Sequence, residues 1–162
     1  MMYLGFDPGI TGAMALYDLD TDTVCGVWDM PIQERMYGKG QEIDWGELVC
    51  IIDDILGANG MFANMGETEV HAVIEFVGVM PRQGITSAFA FGQVVGGIRS
   101  MCAALNLEVT YVHPTAWKRR FGLVGTKKEA VSEMLKNTYS ETADWLTLKK
   151  HHNRADAIAI AI

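Results

Sequence analysis

The sequence has no uninterrupted apolar run near the roughly 20 residues a bilayer span requires, and no basic region precedes an apolar core in Met1-Met2-Tyr3. A soluble cytoplasmic protein is therefore expected, in the host cytoplasm if phage-encoded. Cysteine is scarce and odd in number: Cys25, Cys50 and Cys102 stand far apart among apolar neighbours. That excludes a disulfide frame or a thiolate zinc site and predicts reduced core thiols. Internal repeats and low-complexity segments are absent. Positive charge is also short, with 13 Lys and Arg against 20 Asp and Glu and a formal net charge of -7, which argues at first against a polyanionic partner.

What is present changes that inference. Acids crowd the first half, with fourteen of the twenty in residues 1 to 81, whereas residues 113 to 154 carry nine Lys and Arg against four acids. A phosphate backbone would feel this local positive field rather than the overall charge. Apolar residues make up 49% of the 162, enough for one domain with a sizeable core, and a single domain over 1–162 is expected.

Tyr3 to Tyr17 reads as a strand, a tight Pro8-Gly9 turn and a returning strand, with Asp7 where the first strand ends. A carboxylate in an apolar run is costly to desolvate without a donor, a cation or a metal. Residues 24 to 31 give a third strand ended by proline, and 33 to 41 a polar loop. Asp44 with Glu47 forms a capping box opening a helix whose stripe is Leu48, Val49, Ile52, Ile55 and Leu56, with Asp53 and Asp54 solvated. After a connection from Gly57 to Glu69, residues 70 to 77 form a β-branched strand with Glu75 near its end.

A long helix starts at Thr86; its Gly92 and Gly96 permit close approach of the sheet or of a second copy. Residues 109 to 112 form the next strand. Pro114 to Gly122 is a short helix anchored by Trp117 and Phe121, with Lys118, Arg119 and Arg120 facing outward. Thr126 to Glu129 is a second capping box, and Trp145 and Leu148 anchor the polar stretch 138 to 150. The chain finishes in a small-residue helix with Asp156 near its start and Asn153 and His152 one turn earlier.

Two acids ending adjacent strands and a third opening a packed helix predict a common site of Asp7, Glu75 and Asp156. Mutual repulsion would raise their pKa values unless divalent cations neutralise them. All-oxygen ligation suits Mg²⁺ or Mn²⁺, and two such ions about 4 Å apart can activate water and stabilise a leaving phosphodiester oxygen.

These residues also resemble a known family. Gly5-Phe6-Asp7-Pro8-Gly9, Ile74-Glu75, Phe91-Gly92-Gln93 with Gly96-Gly97, Pro114 to Trp117-Lys118, Lys127-Lys128-Glu129 and Ala155 to Ala161 occur in the order seen in RuvC-type Holliday junction resolvases, particularly phage-like members. The resemblance spans nearly the whole chain. It implies a ribonuclease H-like α/β fold, with a mixed five-stranded sheet whose first three strands are antiparallel, flanked by helices. It further implies a homodimer that nicks four-way or other branched DNA symmetrically with two Mg²⁺ or Mn²⁺ ions.

On that resemblance Asp7, Glu75 and Asp156 are metal ligands, joined by Asn153 or His152. Lys118 and Lys127 or Lys128 stand near the scissile phosphate. Arg82 and Gln83, in the loop at 78 to 86, enter the junction, while Arg119, Arg120 and Arg154 add DNA contacts. One position departs from the pattern: Asn153 stands where the family generally has Asp or His. It offers a neutral oxygen but no charge, so the second metal is expected to bind more weakly, whether Asn153 is native or an Asp→Asn change that traps DNA. Two rival functions follow. One is a non-catalytic binder of branched DNA. The other is an actin-like or sugar-kinase ATPase, whose phosphate loop matches Asp7-Pro8-Gly9-Ile10-Thr11 but whose duplicated domains need more than 162 residues.

Overall fold

The computed structural model describes residues 1–57, 69–78 and 82–162. Most of the connection expected between Gly57 and Glu69, and Met80-Pro81 of the expected junction loop, lie outside the described residues.

The first three strands are β1 (Met2–Asp7), β2 (Ala13–Asp18) and β3 (Thr23–Asp29), an antiparallel meander as the turn signals imply. The segment read as a polar loop instead forms a small hairpin, β4 (Ile32–Glu34) with β5 (Gln41–Ile43). Gly38 and Gly40, both at positive φ, close its turn, so glycines that suggested a loop serve a hairpin. Helix α1 (Trp45–Leu56) starts where expected: the Asp44 carboxylate accepts the Glu47 amide at 3.0 Å. Its inner stripe is narrower than predicted, because Val49 is exposed and only Leu48, Ile52 and Ile55 are buried. Cys50 on the same helix is exposed too, against the expectation of three core thiols.

Strands β6 (Val70–Glu75) and β7 (Glu108–Val112) add in parallel, giving the order β3-β2-β1-β6-β7 with β1 in the middle. Between them runs α2 (Ile85–Ala104). After β7 come α3 (Pro114–Arg120), α4 (Glu129–Thr138) and α5 (His152–Ala161). The second capping box does not form. The Thr126 hydroxyl donates to the Leu123 carbonyl at 2.8 Å and closes the preceding turn, leaving α4 without a side-chain cap. Leu148 is exposed and Leu146 is the buried anchor, since the 3-10 turns of this stretch present a different residue inward.

The five-stranded sheet separates two cores. Met2, Leu4, Phe6, Met14, Leu16, Ala72 and Ile74 pack on α1 and α2. On the other face, Ala13, Ala15 and Tyr17 meet Trp117, Val131, Leu135, Leu146 and the apolar side of α5. Alternation along β1 therefore points Tyr3, Gly5 and Asp7 toward α5. Helix α5 lies directly on β1 because Gly5 has no side chain: a Cβ there would stand 2.6 Å from the Ala157 carbonyl oxygen and from the Ala161 amide nitrogen. Both are backbone atoms that can move only with the helix. Gly5→Ala is thus expected to lower unfolding free energy by about 2 kcal/mol or more, measured as a fall in urea midpoint at unchanged m-value. Among the described residues no helix is long and apolar enough to cross a membrane.

Candidate active site

Asp7 ends the central strand, and the parallel register Phe6↔Ile74 carries Glu75 one step further on the neighbouring strand. Both have the parity of the α5 face, so the third acid, Asp156 in the second turn of α5, comes up against the same sheet end. The turn after β1 is tight, with the Gly12 amide donating to the Gly9 carbonyl at 3.0 Å. Gly12 is the glycine it needs: a Cβ there would lie 2.1 Å from the Asp7 carbonyl oxygen. Gly9 does not use the positive φ that its position beside Pro8 suggested.

The electrostatics report the convergence. Burial, and then the carboxylates of Glu75 and Asp156, push Asp7 up to about 8, against the opposing pull of Lys118 and Lys128. Asp156 is pushed up to about 6, chiefly by burial with Glu75 adding, while Lys118, His152 and Lys128 oppose. Burial also raises Glu75, opposed by a hydrogen bond from Trp117 and by Lys118. Three neighbouring acids whose ionisation is opposed in this way form a strong attractor for cations. Every donor among them is oxygen, which fits a hard divalent ion. Among the described residues, no three His, Cys, Asp or Glu side chains close on a single point in metal-binding geometry.

The other predicted residues fall into distinct places. Lys118 is half-buried, its Nζ 4.9 Å from the Trp117 ring centroid, whereas Arg119 and Arg120 are exposed on α3. Lys127 and Lys128 are exposed just before α4. Arg82 is exposed at φ 69°, and Gln83 donates to the Ser87 hydroxyl at 3.3 Å. His152 is half-buried in the first turn of α5, its Nδ1 donating to the Lys149 carbonyl at 3.3 Å. The Asn153 amide donates to the Thr11 carbonyl, tying α5 to the turn beyond Asp7.

Arg154 faces a carboxylate rather than open solvent. Its Nε and Nη2 form a forked pair with Asp29 at 2.6 and 2.7 Å, and Nη1 donates to the Trp145 carbonyl at 3.2 Å. The guanidinium beside Asp29 holds that carboxyl below its ordinary range. The pair joins the end of β3 to the helix carrying Asn153 and Asp156. Asp29→Asn should therefore cost about 1 kcal/mol at neutral pH, less at high salt, read from urea midpoints at two ionic strengths. Because the carboxyl is depressed, this difference should fade as pH falls through the acid range.

Three contacts escaped sequence reasoning: Trp117 to Glu75, Asn153 to Thr11, and Arg154 to Asp29. The partners lie 42, 142 and 125 residues apart. No local periodicity connects them; the only signal was a tryptophan placed directly before a lysine.

No protein-family model and no curated protein matches the chain. Solved structures do. A T. thermophilus RuvC in complex with Holliday junction substrate aligns with a TM-score of 0.58 at 20% identity, covering 99% of this chain and 90% of that one. A second Thermus thermophilus RuvC structure gives 0.54 at 19% identity, over 99% and 91% of the two chains. The fowlpox virus Holliday junction resolvase gives 0.53 at 14% identity, over 99% and 94%. At these identities the likeness is one of fold: the chain has the ribonuclease H-like architecture of RuvC, with its mixed five-stranded sheet and three leading antiparallel strands.

Proposed function

We propose that this chain is a metal-dependent, structure-selective endonuclease that resolves four-way DNA junctions, and related branched DNA, by paired symmetrical nicks. The observation that carries the reading is the meeting of Asp7, Glu75 and Asp156, all with raised proton affinity, under the influence of Lys118 and Lys128. The fold in which this occurs is shared with a RuvC in complex with Holliday junction substrate and with the fowlpox virus Holliday junction resolvase.

Asp7, on the central strand, and Glu75, Asp156 and Asn153 or His152 are the residues that would hold Mg²⁺ or Mn²⁺ ions. When bound, such ions supply Lewis-acid activation of water and charge stabilisation at the phosphate. The chain's own groups do the rest. The carboxylates would have to give up their protons to hold such ions, and Lys118 and Lys128 draw the scissile phosphate toward the acids. Arg119, Arg120 and Lys127 hold the flanking backbone, with Arg82 and Gln83 reaching the junction. Arg154, engaged by Asp29, supports α5 and adds to the positive charge on the DNA side.

A homodimer is supported by α2. Ile85 is 89% and Phe89 68% exposed, and among the described residues nothing stands within 4 Å of a Cβ built at Gly92 or Gly96 on the same side. Of the two neighbours expected for these glycines, the sheet or a second copy, the open space fits the second, leaving a surface where another α2 can approach. The dimer axis would then relate the two nicks.

Labelled four-way junction, linear duplex and ATP, each incubated with Mg²⁺ or with EDTA, test the reading. Paired nicks restricted to the junction and dependent on Mg²⁺ are expected. Junction binding without nicks would favour the catalytically weakened binder, which the neutral Asn153 supports, and ATP turnover would favour the kinase-like reading.

A further inference from the structure

Trp117 forms a contact that its role as a core anchor does not require. Its indole Nε1–H donates to Glu75 Oε1 at 2.8 Å, and the side chain is only 4% exposed. An indole donates and never accepts, so this bond selects an oxygen of Glu75 that presents a lone pair. The ring is held firmly. Helix α3 begins at Pro114, two residues beyond the end of β7, and β7 is paired in register with the strand that carries Glu75. The indole also belongs to the apolar cluster built on α5.

The next residue acts from the same ring. Lys118 places its ammonium 4.9 Å from the indole centroid, a cation–π distance, and opposes the raised proton affinity of all three acids. One turn of helix thus presents a neutral donor to one carboxylate oxygen and a cation to the whole cluster.

We infer that Trp117 is a positioning residue for the nuclease centre: by binding Oε1 of Glu75 it fixes the carboxylate's rotation, so that the second oxygen would be held ready for a divalent cation. This rests on the metal-dependent reading above. Outer partners of ligating groups typically govern metal affinity or activity by 10–100-fold. Phenylalanine fills most of the indole volume but lacks the donor, so Trp117→Phe separates the hydrogen bond from the packing.

Two measurements test the assignment. In calorimetry with MgCl₂ alone, W117F is expected to bind about 10-fold more weakly than the parent. Its affinity for a four-way junction in EDTA should stay within about twofold, and its loss in cleavage should fall on kcat rather than KM. In spectra of protein labelled with ¹⁵N-tryptophan, the Trp117 indole proton should be protected from solvent exchange in the parent. It should lose that protection in Glu75→Ala and change its resonance position on adding Mg²⁺.

Unchanged Mg²⁺ affinity in W117F would overturn the inference. So would an indole proton that exchanges equally fast with and without the Glu75 carboxylate, a result that does not depend on W117F folding. If the parent itself binds no Mg²⁺, the metal-dependent function fails, while the exchange comparison still decides whether Trp117 holds Glu75.

Discussion

Asp7→Asn is expected to abolish junction nicking, by at least about 10³-fold, while making the metal-free protein more stable. The loss follows because an amide cannot supply the negative charge that would hold divalent cations at this strand end; a factor of 10³ corresponds to about 4 kcal/mol of barrier. The gain follows from the same carboxylate without its metal. Asp7 titrates near 8 in the fold, against 3.8 for the unperturbed group, because burial and two neighbouring acids oppose its ionisation. Between those values the native state holds a proton that the unfolded chain has released, so stability falls as pH rises through this window. Asp156, raised to about 6, adds to the slope over its lower half.

Each tenfold change in proton affinity on folding is worth about 1.4 kcal/mol, so Asp7→Asn should recover on the order of 5 kcal/mol at pH 8 and almost nothing near pH 4. Urea titrations in EDTA across this range check the sign. A parent protein whose metal-free stability rises from pH 5 to 8 would contradict it. Adding Mg²⁺ at pH 8 should restore stability to the parent and much less to D7N, because only a ligand bound by the native state moves the balance. Loading should also release protons, so nicking at low Mg²⁺ should accelerate from pH 6 to 9.

The second large effect is expected at Asn153. Asn153→Asp should speed nicking at least about 10-fold at sub-saturating Mg²⁺, because a carboxylate adds charge beside Asp156 where the amide offers only a neutral oxygen. Equal rates for the two proteins at sub-saturating Mg²⁺ would reject this account. The change also has a cost: the Asn153 amide donates to the Thr11 carbonyl, and a carboxylate cannot. N153D should therefore lose about 1 kcal/mol of metal-free stability, more at high pH, where its charge would face both that carbonyl and Asp156. Faster cleavage in a less stable protein is the signature that separates a ligand from a purely structural asparagine.

Much of the architecture was legible because it depends on short-range rules. Alternating apolar residues ending at Pro8 and Pro31 marked the meander, Asp44 capped α1, and the small residues from Ala155 to Ala161 announced a helix that lies flat on a strand. The errors share one cause. Gly38 and Gly40 read as loop because a hairpin of three-residue strands carries too little periodicity to be recognised. Val49 and Leu148 read as core because hydrophobicity names candidates for burial without saying which faces find a partner.

Asp7, Glu75 and Asp156 could be singled out by sequence alone, because an acid at the end of an apolar strand or within a small-residue helix violates the local pattern. Nothing local revealed what holds them. Strand parity, the parallel register of β1 with β6 and the close seating of α5 on Gly5 bring the acids together, and Trp117, Thr11 and Asp29 steady them from 42 to 142 residues away. The types of these acidic groups are a property of the chain; their orientation and altered proton affinities belong to the packed fold, where burial and neighbouring charge set the energy of each carboxylate.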